Sequence, residues 1–501
     1  MLVLCQKFSW TDTAAHGAAI FGFPGAIPRK NPKYARNAKA PIGIGHAEKR
    51  SFPKRSMQVS LQANRKRHKC VRMIVKQDSN IHVETPEMST TFQDAQKLTT
   101  YMGLRPQPEK IDWSFNGCPT QQSVHGMHTW LAAMIPALAE KLLRVTEAAK
   151  VLDPFCGGGA VLVESSFLGR EAFGIDINPL ATIVSKAKTT PIAKERLTSE
   201  LKDILRFARD YSGPTRFFPK NYFVGYWYKP YMLKPLTALS TAILNVKDEQ
   251  VKTFFQCAFS ATARDVALNY RNEIRLRRMT RRELASFNPD VLLQFSKRAN
   301  DAIARLSSAR FQAAVKVEQG DVTTMPFADD TFSTIVCSPP YGDERNGVPY
   351  FQFAKNMLYW LGWTKEELLA LKRKTLGWVG GRKEVSCPES PTLKRCLEKL
   401  RHNGRARLEA VAFYHDYEKA LRRMVRVTHD KMAIVIGNRV LLNTTFDNAE
   451  ITTELLDRLG VRLMSRYRRQ LPSKRLPRMR EFGAAINSED ILIHDVTRKN
   501  V

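Results

Sequence analysis

The sequence predicts an α/β fold: a doubly wound, mostly parallel sheet interrupted by a helical insertion. Three observations predict it. Residues 149–188, "AKVLDPFCGGGAVLVESSFLGREAFGIDINPLATIVSKAK", run strand, Gly-rich turn, helix, strand, acidic tip, helix, which is a βαβ unit. After a long helical stretch, two more strand-like runs follow, "VKVEQGD" and "FSTIVCS". A helix-period segment then leads to "KMAIVIGNR" and "VRLMSRYRRQ", the last strand candidates. Parallel strands joined by crossover helices put ligand sites outside the strands' carboxyl ends.

Residues 1–75 are rich in Gly, Pro, Lys and Arg and lack sustained periodicity, so a basic, disordered extension is expected there. Its cluster "RKRHKCVR", Arg65 to Arg72, could be a nuclear signal, a DNA-binding arm or simply part of that extension. The opening "MLVLCQKFSW" has too short an apolar stretch for a signal peptide. Residues 76–120 give a mixed signal. Order begins near Gln121. In "MHTWLAAMIPALAEKLLRV", Leu131, Met134, Ile135, Leu138 and Leu142 recur at helical spacing. His125 and His128 precede this helix without a Cys or His partner nearby in sequence, so no metal site is expected. Residues 195–312 read as mostly helical, and helix signals return at Phe351–Leu361 and Leu408–Val427. The expected segments are thus 1–75, 100–194 with the cofactor loop, the insertion 195–312, a candidate target-recognition region, and 313–501 with the proline turn.

The chain carries 79 Lys and Arg against 48 Asp and Glu, a formal net charge of +31. A chain this basic points to a polyanionic partner. The charge is clustered. Residues 1–72 hold 15 basic residues against Asp12 and Glu48; six arginines lie between Arg271 and Arg282; residues 461–480 hold eight basic residues and no acid. Basic runs are also what a solvated helix face looks like. No apolar run is long enough for a membrane-spanning helix, and the eight cysteines form no C-x-x-C pair, which fits a reducing compartment.

Acids end three of the strands: Asp153 before the glycines, Asp176 in "GIDINP" and Asp321 in "EQGD". The Gly-rich turn lacks a Gly-Lys-Ser/Thr, so no lysine is set to reach a phosphate. An acid ahead of the glycines suits an amine-bearing ligand, and one at the second strand tip can accept both hydroxyls of a ribose. Any single Asp could equally be a helix or turn cap; the set in this order points to a pocket for an adenosine with an ammonium-bearing arm. "TIVCSPPYGDERNG" then poses its own question. Adjacent prolines remove ladder donors, so the strand must stop and turn at Ser338 to Tyr341.

Together "VLDPFCGGG", "GIDINPLA" and "CSPPYG" resemble the class I S-adenosylmethionine-dependent amino-methyltransferases, in particular the DNA methyltransferases that modify the N4 amine of cytosine through a Ser-Pro-Pro-Tyr turn. "HGMHTWLAAMIP" and "YRRQLPSKRLPRM" resemble the segments before the cofactor loop and near the C-terminal end of that family, so the likeness spans roughly residues 100–480. It implies a Rossmann-like methyltransferase sheet and S-adenosylmethionine as cofactor. Asp153, Phe155, Gly157 and Gly159 would line the methionine end, Asp176 would take the ribose and Asp321 the adenine amine. Ser338, Pro339, Pro340 and Tyr341 would form the catalytic turn. Gly158–Ala160, where relatives often carry a small hydroxyl residue, and the long insertion depart from the pattern.

The implied reaction needs no covalent intermediate. Ser338 and the Pro339 carbonyl would accept hydrogen bonds from a flipped base's amine, Tyr341 would stack on that base, and Cys337 would be a buried strand residue. Arg271, Arg275, Arg345, Arg468, Arg469 and Lys474 would contact phosphates of double-stranded DNA. The resemblance also implies a bacterial cytoplasmic, nucleoid-associated protein of a restriction-modification system, with a cognate restriction endonuclease as a candidate partner. The rival substrates are adenine, the guanine amine of transfer RNA and a protein glutamine; a non-catalytic scaffold is the rival of another class. Serine at 338 favours cytosine, and the net charge disfavours a protein substrate.

Overall fold

In strand β1 (Lys150–Asp153), Val151 faces one side of a sheet and Leu152 the other, and both are fully buried. The same two-sided burial recurs in β4 (Phe332–Cys337): Ile335 and Cys337 join one core, Val336 the opposite one. Strands buried on both faces read as continuous apolar runs, as parallel sheets require. The computed structural model describes residues 113–222, 224–270, 277–342, 350–471 and 487–497, all within the second of two units, Phe92–Val501. The extension 1–75 and the positions Arg271, Arg275, Arg345 and Lys474 lie outside the described residues.

The seven-stranded sheet has the order β3 (Val315–Gln319), β2 (Glu171–Asp176), β1, β4, β5 (Thr428–Gly437), β9 (Ser488–Asp495), β8 (Arg462–Gln470). β2 (Glu171–Asp176) pairs parallel with β1, and β3 (Val315–Gln319) extends that side in parallel. β4 pairs parallel with the other edge of β1, and β5 (Thr428–Gly437) with β4. The winding direction reverses between β1 and β4, which opens the crevice where doubly wound sheets bind ligands. The sheet is therefore the doubly wound, mostly parallel Rossmann-like arrangement that the sequence predicts.

Helix α1 (Pro136–Val145) and α2 (Ala160–Phe167) pack on one face, and α3 (Pro179–Thr189) follows β2 with Asn178 as its N-cap. Helices α4 (Lys194–Asp210), α5 (Val224–Trp227), α6 (Pro230–Leu244), α7 (Glu249–Val266), α8 (Arg281–Ser286) and α9 (Val291–Ser308) then intervene before β3. They form a large helical core together with α3 and α10 (Tyr350–Trp360). After α11 (Lys365–Arg373) and α12 (Pro391–Lys399), the 24-residue α13 (Gly404–Val427) and α14 (Asn448–Asp457) cover the second sheet face.

Three expectations are corrected. The helix foreseen from residue 127 onward begins only at Pro136, because Pro sits at its first turn where the missing N–H costs nothing; Trp130 to Met134 form a loop instead. A last strand, β9 (Ser488–Asp495), lies antiparallel between β5 and β8 (Arg462–Gln470), although the sequence reading ended at β8. A small hairpin of β6 (Arg439–Leu441) and β7 (Thr444–Phe446) was also not foreseen.

Candidate active site at the carboxyl ends of the strands

β1 delivers Asp153 to the crevice floor. The residue is 4% exposed; its carboxyl accepts a hydrogen bond from the Phe155 N–H at 3.1 Å, and burial pushes its pKa up to about 8, with Asp176 adding to the rise. The chain then turns through the glycines. Gly157 has φ +48° and Gly159, the N-cap of α2, has φ +78°, conformations that L side chains rarely adopt. A Cβ at Gly157 would lie 2.7 Å from the Trp130 Nε1, and one at Gly159 2.9 Å from the Ser185 Oγ. The glycines thus let the loop close against Trp130 on one side and α3 on the other.

Two side chains of α3 brace this loop from behind. Ser185 donates to the Gly157 carbonyl at 2.8 Å, and the buried ammonium of Lys188 donates to the carbonyls of Gly158 and His128, each at 3.2 Å. Burial lowers the Lys188 pKa to about 8. Burial also pushes His128 down to about 3, so it is neutral, and its Nδ1 bonds to the Thr129 carbonyl; His125 donates to the Glu164 carboxylate at 2.8 Å. Both histidines therefore serve the packing behind the loop.

Asp176 ends β2 and accepts from two backbone amides, Asn178 at 2.8 Å and Gly157 at 2.9 Å; burial raises its pKa to about 6. Asp321, beyond β3, caps the turn Val322–Thr324 through the Thr323 N–H at 2.9 Å. A single cleft of roughly 1040 Å³, open to solvent at its mouth, joins Asp153, Phe155, Gly157, Asp176, Asp321, Ser338 and Pro340. Gly159 stands behind it, shaping the turn rather than lining the cleft.

The proline turn is held by neighbours that no motif announces. Asn448 at the start of α14 donates to the carbonyls of Tyr341 at 3.2 Å and Gly437 at 2.8 Å, tying the turn to the end of β5. Gly342, at φ +80°, approaches the Phe413 ring so closely that a Cβ would come within 2.9 Å. Pro339 is buried. Tyr341 does not line the cleft: its ring packs against the core under α13, and its hydroxyl lies 3.3 Å from the Ser338 Oγ and donates to Glu489 on β9 at 3.2 Å. The aromatic rings that do line it near the turn are Tyr350 and Phe351. Cys337 is fully buried and its thiol is pushed well above the ordinary range by burial and by Asp153.

The arginines expected at phosphates are placed differently. Arg469 is 6% exposed, with its Nε 3.1 Å from the Glu489 carboxylate. Arg468 is exposed but bonds Asp490 at 3.1 Å, and Arg466 bridges Asp490, Glu450 and Asp447. These side chains are committed to acids of β9 and α14, because strand pairing sets β8 beside β9. For Arg469 the burial itself corrects the expectation, since a covered guanidinium paired to a carboxylate is not presented to a phosphate. The cleft residues missed in the sequence are Trp130 to Met134 and Lys374 to Leu376, loops that only folding brings to the strand ends.

The chain is 29% identical over 393 residues to the type II methyltransferase M.MvaI of Kocuria varians, covering 72% of this chain and 86% of that protein. A second relative, the type II methyltransferase M.MjaII of Methanocaldococcus jannaschii, is 28% identical over 110 residues, 21% of each chain. No protein-family model matches. Among solved structures, the rRNA methyltransferase aviRa of Streptomyces viridochromogenes aligns with 11% identity and a TM-score of 0.25 over 73% of this chain and 87% of that one. The long alignment with M.MvaI supports a methyltransferase, and with it S-adenosylmethionine as methyl donor. The cleft fits that donor: the buried Asp153 has no cation paired with it among the described residues, the glycine turn admits close approach, and Asp176 keeps lone pairs for hydroxyls.

Proposed function

We propose that this protein is a site-specific DNA methyltransferase that transfers a methyl group from S-adenosylmethionine to the N4 amine of cytosine. The observation that carries the reading is the placement of Ser338 on the same cleft as Asp153, Asp176 and Asp321, at the switch point of the sheet. The similarity to type II methyltransferases along most of the chain supports DNA as the substrate. When bound, S-adenosylmethionine supplies an electrophilic methyl on a sulfonium. Asp153 would hold the cationic arm, Asp176 the ribose and Asp321 the adenine amine.

An exocyclic amine is a poor nucleophile because its lone pair is delocalised into the ring. Ser338 Oγ and the Pro339 carbonyl would accept hydrogen bonds from its two N–H groups and hold the nitrogen pyramidal, so that the lone pair points along the cleft; once methylated, the nitrogen sheds one of these protons to solvent at the mouth of the cleft. Tyr341 acts through Ser338, fixing its hydroxyl, while Tyr350 and Phe351 offer the apolar walls for a base extruded from the duplex. Cys337 faces the core as an unreactive thiol, which suits a direct transfer without a covalent adduct. Serine in the turn favours cytosine over adenine. On this reading a cognate restriction endonuclease is a candidate partner and the nucleoid a candidate location. None of the helices among the described residues is long and apolar enough to cross a membrane.

The test is incubation with labelled S-adenosylmethionine and unmodified genomic DNA, then nucleoside mass spectrometry. N4-methylcytosine is expected. N6-methyladenine would change the base, label appearing only in RNA would change the polymer, and absence of transfer to either would overturn the reading.

A further inference from the structure

A second cleft lies beside the first and meets it at the proline turn, sharing Pro340, Tyr350, Phe351, Thr375 and Leu376. It encloses roughly 2550 Å³ open to solvent, between α10, α11, the segment 375–380 and the start of α13. Its charge is one-sided. Lys355, Lys365, Lys372 and Arg405 line it, together with Arg439, whose guanidinium lies 3.4 Å from Glu409. Glu409 is the single acid among the described lining residues. None of Lys355, Lys365, Lys372 and Arg405 forms an ion pair among the described residues.

The three lysines come from the middle of α10, the first residue of α11 and its last turn, so the helix hairpin turns them onto one wall. They repel one another: burial and the charges of Lys372 and Lys365 depress the pKa of the half-buried Lys355. A fold that gathers like charges in a groove carries a cost that a polyanion relieves. Trp378 stands on the same cleft, with the Lys372 ammonium 5.8 Å from its ring centre. Cations with an aromatic face beside them make a surface for a nucleic-acid strand whose bases are partly unstacked.

We propose that this second cleft holds the sugar-phosphate backbone of the strand carrying the target base, with Lys355, Lys365 and Lys372 neutralising its phosphates beside the turn that presents Ser338. The inference rests on the proposed function and names where the polymer lies. It also replaces the arginines of β8 as the phosphate-binding group nearest the site.

The experiment measures binding of a fluorescent random-sequence duplex across a salt series, for the wild type and for a Lys355→Ala, Lys365→Ala, Lys372→Ala variant. A control variant neutralises Lys202, Lys247 and Lys297, which are exposed and do not line this cleft. Each neutralised phosphate contact contributes about 0.9 to the slope of log affinity against log salt, so the slope should fall by about 2–3 in the cleft variant and affinity by at least about tenfold at moderate salt. Calorimetric affinity for S-adenosylmethionine should stay unchanged, which separates lost backbone binding from misfolding. A slope equal to that of the wild type, or an equal loss in the control, overturns the inference. If the wild type transfers no methyl to DNA yet loses salt-dependent nucleic-acid binding only in the cleft variant, the functional reading fails and the cleft assignment stands.

Discussion

The hydroxyl of Tyr341 donates to the Glu489 carboxylate at 3.2 Å while lying 3.3 Å from the Ser338 Oγ. The proline turn is thereby joined to β9, a strand almost 150 residues further along the chain. Tyr341→Phe removes the bridge and keeps the ring packed. It should lower single-turnover methylation by about tenfold, roughly 1.4 kcal/mol of barrier, with cofactor affinity unchanged. Glu489→Gln should give a smaller loss of the same kind. Rates equal to wild type in both would mean that Ser338 needs no orienting hydroxyl.

Two aspartates of the cleft, Asp153 buried and Asp176 half-buried, predict a pH dependence. Asp153 is raised to about 8 and Asp176 to about 6 from ordinary values near 3.8. Each carboxyl favours its neutral form in the ligand-free fold. Its contribution to stability is therefore complete below about pH 4 and is lost as pH rises through its folded value. A cationic ligand needs the carboxylates, so affinity for S-adenosylmethionine should rise over the same window. Asp176→Asn should abolish the part of that rise near pH 6. Asp153→Asn should weaken binding yet raise the melting temperature at about pH 9 more than at about pH 5. Calorimetry and thermal melts across pH check both, and a pH-independent affinity in the wild type would contradict the assignment.

Cys337→Ala separates direct from covalent transfer. The thiol is fully buried on the face that packs under α13, so its loss leaves a small cavity costing about 1–2 kcal/mol of stability. Turnover at a temperature well below the melting point should stay near that of the wild type. An inactive, folded variant would require a nucleophilic sulfur.

Arg469→Gln tests the buried end of β8. Removing the covered guanidinium leaves the Glu489 carboxylate without its counter-charge, held among the described residues only by the Tyr341 hydroxyl, so a melting temperature lower by several degrees is expected, with the salt dependence of DNA binding unchanged. A reduced salt slope instead would mean that this side chain reaches phosphate.

Local chemistry determined much of this protein from the sequence. Short apolar runs named β1, β2, β3, β4 and β5, glycines marked the turn after β1, and prolines ended β4; each is a short-range constraint of backbone or side-chain composition. Asp153, Asp176, Asp321 and Ser338 were legible because they stand at strand ends, where the topology of a doubly wound sheet gathers them. Tertiary structure decided the rest, because it depends on pairing between distant segments. The apolar run of β9 acquires its place only from β5 and β8 on either side. The same pairing turned Arg469 inward to Glu489 and drew Tyr341 out of the cleft. Lys355, Lys365 and Lys372 have no common spacing that marks a site, and the hairpin of α10 and α11 alone sets them on one wall. A charge count registers that a chain is basic; which cations stay unpaired, and what they face, is fixed by the acids that folding places beside the others.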